Sequence, residues 1–194
     1  MAIVDIKNPK NYKKTFKLPI KVKMSVPAVG TKIHNHLERV DYVTDYDLRF
    51  VLSGTVDEKW CVTLKQVQKA YTAIDGSEIT EEWIKSLPGY NSKTGVLGWI
   101  DILSRGDATT RWACHFTLEN GSTDITTSWG AVLKANDPMV KHGEGDFIIC
   151  ADAGGKPDFS DMWVVNGMVF PTTYDMSEIH GGRKPRPKPL NAFG

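Results

Sequence analysis

Residues 145–175 read GDFIICADAGGKPDFSDMWVVNGMVFPTTYD, and they spell out a small β unit. The apolar run 147–150 (FIIC) has the length and composition of a buried strand. The run 154–158 (GGKPD) is a turn, and 162–165 (MWVV) is a second strand. Asn166-Gly167 then turns the chain into a third short strand, 168–170, and the unit closes on Tyr174.

A degenerate earlier copy is visible. Asp47 precedes the run 48–52 (LRFVL) as Asp146 precedes FIIC, and Trp60-Cys61-Val62 answers Trp163-Val164-Val165. Tyr71 follows Trp60 by eleven residues, and Tyr174 follows Trp163 by eleven. Acid-to-tryptophan spacing is thirteen in the first copy and seventeen in the second. The difference falls in the turn 153–158, where added residues cost little. Ordered in this way, the match reads as an internal duplication.

The motif Gly145-Asp146-Phe147, followed by Val169-Phe170 and Tyr174, resembles the small PGDYG-type domains of bacteriophages and mobile elements, with Glu144 where the family name has proline. The resemblance covers residues 145–175 well and residues 47–71 only as an echo. It implies a compact β-rich fold and a phage or mobile-element origin, and it brings no catalytic residues with it.

Working outward, 20–26 (IKVKMSV) alternates apolar and polar residues as a half-buried strand does. The first β unit is placed at 20–76, with strands near 48–52 and 58–64 and a short helical segment at 65–71. Residues 77–95 form a helical connector: Ser77 and the acids Glu78, Glu81 and Glu82 suit a helix start, and Ile79, Trp83 and Leu87 form one stripe. The second β unit is placed at 96–179, with strands near 96–103 and 109–118 and a hairpin signal at Asn120-Gly121. Flanking these are a basic N-terminal arm, 1–19, and a basic Pro-rich tail, 180–194. The fold class is therefore mainly β (α+β), with two related small units joined by a short helix.

Composition excludes several functions. A net charge of +1 supplies no global field for nucleic acid, although the basic termini leave it open as a partner. Apolar runs fall far short of the roughly 18–20 residues that span a bilayer, so no membrane role is expected. The opening MAIVDIKNPK lacks the apolar core of a secretory leader, which points to a cytoplasmic protein. Cys61, Cys114 and Cys150 fit neither a disulfide framework nor a zinc site and read as buried thiols.

No catalytic motif survives inspection. Pro157 after Gly154-Gly155-Lys156 rules out a phosphate loop. His34 and His36 lack partners for a metal, Cys114-His115 would point to opposite faces of a strand, and no cofactor or metal is expected. The ligand-binding candidates are Arg105, Arg111, Trp112 and His115, which combine charge and stacking on one mostly polar segment. The reading that follows is a non-enzymatic accessory protein binding a host protein or a small phosphorylated ligand. A virion assembly protein, multimeric through its termini, is the alternative. An enzyme with dispersed residues such as His34, Asp107 and His115 is a second alternative.

Overall fold

The computed structural model describes residues 3–179, so the Pro-rich tail lies outside the described residues. Thirteen strands and three short α-helices give the mainly β class expected. Two compact units are present, but they do not follow one another along the chain. Residues 3–18 and 107–179 form a split unit, and Pro19–Gly106 form a unit inserted within it.

Strand β1 (Lys13–Lys17) opens the split unit. The inserted unit follows as β2 (Lys21–Val26), β3 (Lys32–Asn35), β4 (Val40–Val43), β5 (Phe50–Ser53), β6 (Lys59–Val62), α1 (Leu64–Ala70), β7 (Tyr71–Thr72), α2 (Glu81–Ser86) and β8 (Leu97–Ser104). The split unit resumes with β9 (Asp107–His115), β10 (Thr123–Thr126), β11 (Val132–Ala135), β12 (Phe147–Asp152), β13 (Pro157–Val165) and α3 (Phe170–Thr173).

The two units share one topology. The inserted sheet has the antiparallel order β6-β5-β2-β8-β7, and β3-β4 form a separate ribbon. The split sheet has the order β13-β12-β9-β1, Tyr174 bridges Lys17 on the far side of β1, and β10-β11 form the ribbon. Registers agree as well. Trp60 faces Leu52 as Trp163 faces Ile149, and Ser104 faces Tyr71 as Lys17 faces Tyr174. Residues just after each ribbon fasten it in the same way: the Thr44 hydroxyl donates to Ala28 O (2.8 Å) and the Asn136 amide to Phe116 O (2.9 Å).

Along the chain each repeat thus begins with a strand that its own sheet does not use. β1 leads directly into β2 but pairs with β9, whereas β8 leads into β9 but pairs with β2. The two repeats exchange their first strands reciprocally.

Side-chain patterning explains the elements. On β2, Val22, Met24 and Val26 are buried while Lys21 is exposed, the period of two expected. With Leu52, Val67, Ile79, Ile84, Leu97 and Ile102 they make the inserted core. β12 is apolar without alternation because both of its faces are covered. Ile148 and Cys150 join Cys114, Phe116, Ile125 and Met162 on one side; Phe147 and Ile149 join Phe170, Tyr174 and Met176 on the other. Burial of such a side chain contributes about 1.5–3 kcal/mol, which makes β12 the main anchor of the split unit.

Five expectations are corrected. The basic arm contains a strand: β1 pairs with β9, and the buried Thr15 hydroxyl donates to Asp175 O (2.7 Å). The boundary falls at 18/19 and 106/107 rather than within 76–96, because Ile79 and Ile84 of the expected connector pack in the inserted core. That helix starts later than Ser77, with the Thr80 hydroxyl accepting from Trp83 N (3.1 Å). Residues 168–170 are not a strand, since the Phe170 N–H turns back to Asn166 O (2.9 Å) and Pro171 starts α3. Asn120-Gly121 ends a 3-10 turn rather than a hairpin, because β9 pairs with β1 and β12, not with β10.

Candidate functional site

The four candidates chosen from sequence fall on two units. Arg105 belongs to the inserted unit and donates from Nη2 to Gln68 O (3.2 Å). Arg111, Trp112 and His115 lie on β9 of the split unit, with Trp112 on the face opposite the other two. Arg111 Nη2 donates to Asp107 Oδ2 (2.8 Å), and its guanidinium lies 5.9 Å from the Trp163 ring centre. That guanidinium, with help from Thr109, holds the Asp107 carboxyl well below the usual carboxylate range. The His115 ring stacks on Phe147 at 4.4 Å, Phe147 on Phe170 at 4.0 Å, and Phe170 on Tyr174 at 4.6 Å. Trp112 Nε1 donates to Asp152 Oδ1 (2.7 Å). Each of these contacts is made within the fold.

The chemistry open to other residues is narrow. Cys114 and Cys150 are buried, which pushes their thiols up to about 11 and about 12, far from a nucleophilic thiolate at neutral pH. His34 faces the Asp41 carboxylate at 2.8 Å, and His36 Nε2 lies 3.1 Å from Val56 O. Among the described residues no group of three His, Cys, Asp or Glu could hold a metal, and no helix is long and apolar enough to cross a membrane.

The inserted unit does contain a pocket, of about 720 Å³. It lies among the start of β5, the start of α1, α2 and the turn 90–95. Val26, Phe50, Leu64 and Ile84 supply apolar lining; Arg49, Lys65, Lys85, Asp47, Glu81 and Thr63 supply polar lining; Tyr46 and Tyr90 add two phenol rings. Its walls are locally fixed. Thr63 and Gln66 form a capping box at α1, with Gln66 N to Thr63 Oγ1 at 3.2 Å and Thr63 N to Gln66 Oε1 at 2.8 Å. Asn91 Oδ1 accepts from Lys93 N (3.0 Å) and Thr94 N (3.2 Å), closing the turn onto Gly95. Gly95 has φ of +72°, and a Cβ there would stand 3.1 Å from Arg49 Nη2.

Arg49 is the distinctive member. Its Nη2 donates to Gly95 O at 3.3 Å, while its Nε is buried with no hydrogen-bond partner. A charged N–H removed from water without an acceptor is costly, about 1–3 kcal/mol or more. Arg49 also lines the pocket, so its positive charge is offered to a ligand there.

The other repeat shows the same place filled. Hairpin register sets Asp146 opposite Arg49, not opposite Asp47 as the sequence match had it. Asp146 is buried, with Oδ1 facing His142 Nδ1 at 2.7 Å and accepting from Gly167 N (2.9 Å), and with Oδ2 accepting from Asn136 N (2.8 Å). His142 Nε2 meets the carbonyl of Asp137. Asn166 Nδ2 donates to Lys141 O (2.8 Å), and Gly167 lies so close that a Cβ would stand 2.1 Å from both Gly145 O and His142 O. The seal comes from loop length: 136–146 joins β11 to β12, whereas 44–49 joins β4 to β5. The longer loop folds onto 166–168, and the shorter one leaves the counterpart open.

Sequence reasoning missed Arg49, Lys65, Lys85, Tyr46 and Tyr90. One signal was present, a charge interrupting the apolar run 48–52. Both lysines, by contrast, lie on helices whose exposed faces carry lysine routinely. No protein-family model, curated protein or solved structure matches the chain.

Proposed function

We propose that the protein is a non-enzymatic binding protein that captures a small phosphorylated molecule in the pocket of the inserted unit, with Arg49 as the anion anchor. The observation that carries this reading is that Arg49, Lys65 and Lys85 line one pocket, outnumbering its acids Asp47 and Glu81. The volume falls in the range of small-molecule sites, about 300–1,000 Å³. Origin in a mobile element belongs to the proposal and rests on the PGDYG-type resemblance alone.

Native mass spectrometry of the full chain, purified from bacterial cells and compared before and after heat release, tests the reading. The expected result is a phosphorylated small molecule on the wild type that is absent from Arg49→Met, which keeps side-chain length and removes the charge. An equally loaded Arg49→Met protein would overturn it. So would a wild type that arrives empty and binds no phosphate ester in titration; a host protein would then be the partner to seek.

A further inference from the structure

We infer that the captured molecule carries a flat ring as well as its phosphate, an inference that rests on the binding reading above. Inorganic phosphate or a compact phosphate ester would use the cations of this pocket and leave most of its roughly 720 Å³ wet. Beside the cations the lining presents Phe50, Leu64, Ile84 and the rings of Tyr46 and Tyr90. Such surface gains from contact with an apolar body and nothing from contact with a small hydrated anion. Tyr46 makes the case sharper. It is 84% exposed, so its ring is free to lie against a molecule in the pocket.

Comparison of the two repeats isolates what was changed to take a ligand. The register that matches Arg49 with Asp146, carried two residues past the second strand of each hairpin, sets Leu64 against Gly167; Tyr46 lies in the 44–49 loop, whose counterpart is five residues longer and offers no matched position. Where the sealed site has a glycine and an acid packed onto their neighbours, the open site has an apolar side chain and a cation, with the Tyr46 ring on the shorter loop beside them. Those three side chains are complementary to one molecule that combines a ring with an anionic group. A ring lying on a phenol face is held with little dependence on its identity, so the site would tolerate a class of ring-bearing phosphates.

Titration calorimetry on the full chain separates the two levels of the argument, with inorganic phosphate, phenyl phosphate and adenosine 5′-monophosphate as probes. The expectation is that both ring-bearing probes bind at least about tenfold more tightly than inorganic phosphate, the scale of one stacking contact. Tyr46→Ala should remove most of that advantage, read as the ratio of ring-bearing to inorganic affinity, Tyr46→Phe should retain it, and Arg49→Met should weaken all three. Equal affinity for the three probes would overturn the ring inference while leaving anion capture standing. An advantage untouched by Tyr46→Ala would overturn the assignment to this wall. Absence of binding by every probe would sink both.

Discussion

Asp146 and Arg49 occupy one position in two copies of the same hairpin, yet one is spent on the fold and the other is not. Breaking the Asp146 constellation should therefore cost stability rather than binding. Asp146→Ala leaves His142 and two backbone N–H groups without their acceptor; removing one partner of such a buried pair typically costs about 3–5 kcal/mol. Urea denaturation should show it as a large fall in midpoint, with the affinity of the inserted pocket unchanged. Glu58 carries a pH signature of the opposite kind from a paired acid. Burial raises its carboxyl above the usual value although Val56 N donates to it (3.0 Å). The folded protein then holds the proton more tightly than the unfolded chain, so stability rises as pH falls from neutral through the folded value toward the ordinary glutamate value. Glu58→Gln should flatten that rise in denaturation midpoints measured between pH 7 and pH 5. At this scale the sequence was legible where a residue's environment followed from its neighbours: all three cysteines are buried and free, as their apolar flanks implied. Arg49 was not, because a charge beside an apolar run looks the same whether it faces solvent or a pocket.

Elements were legible in proportion to how completely they are buried. β12 and β2 were readable because one is apolar throughout and the other alternates cleanly. β1 was not, since only Thr15 of KKTFK is buried and an edge-proximal strand with outward lysines has no apolar period to detect. Residues 168–170 were misread because an apolar run after Asn166-Gly167 looks like the return strand of a hairpin, until Asn166 O is seen to accept from Phe170 N at the start of α3. α1 offers a clean measure of how local signals hold the pocket. Thr63→Ala removes the hydroxyl that caps Gln66 N and should cost about 1 kcal/mol in thermal or urea unfolding. The same change should weaken phosphate-ester binding only slightly, since Thr63 is an uncharged part of the lining and the three cations stay in place.

At the level of the whole molecule, the duplication read from one tryptophan and one tyrosine extends to every strand of both sheets. What sequence could not show was the exchange, because strand pairing over long separations leaves no local trace. The exchange has a direct test. A protease site placed in the turn 91–95, cut in the folded protein, would yield two fragments that each hold one repeat and lend a strand to the other's sheet. The nicked protein should elute as one species near 21.6 kDa and fall apart only in denaturant. Separation of the fragments in native buffer would show that the strands do not hold the repeats together.

The exchange also orders events on the ribosome. β1 is made first, yet its partner β9 is completed about 100 residues later, a wait of about 5–20 s at typical rates of synthesis. The inserted unit has every strand of its sheet once Ser104 has emerged, so it can close while β1 is still alone. An unpaired strand invites pairing with other chains, and outward lysines are among the means by which proteins discourage it. Lys13, Lys14 and Lys17, which gave the N-terminus the look of a solvated arm, keep the waiting strand soluble until the nascent chain brings its partner.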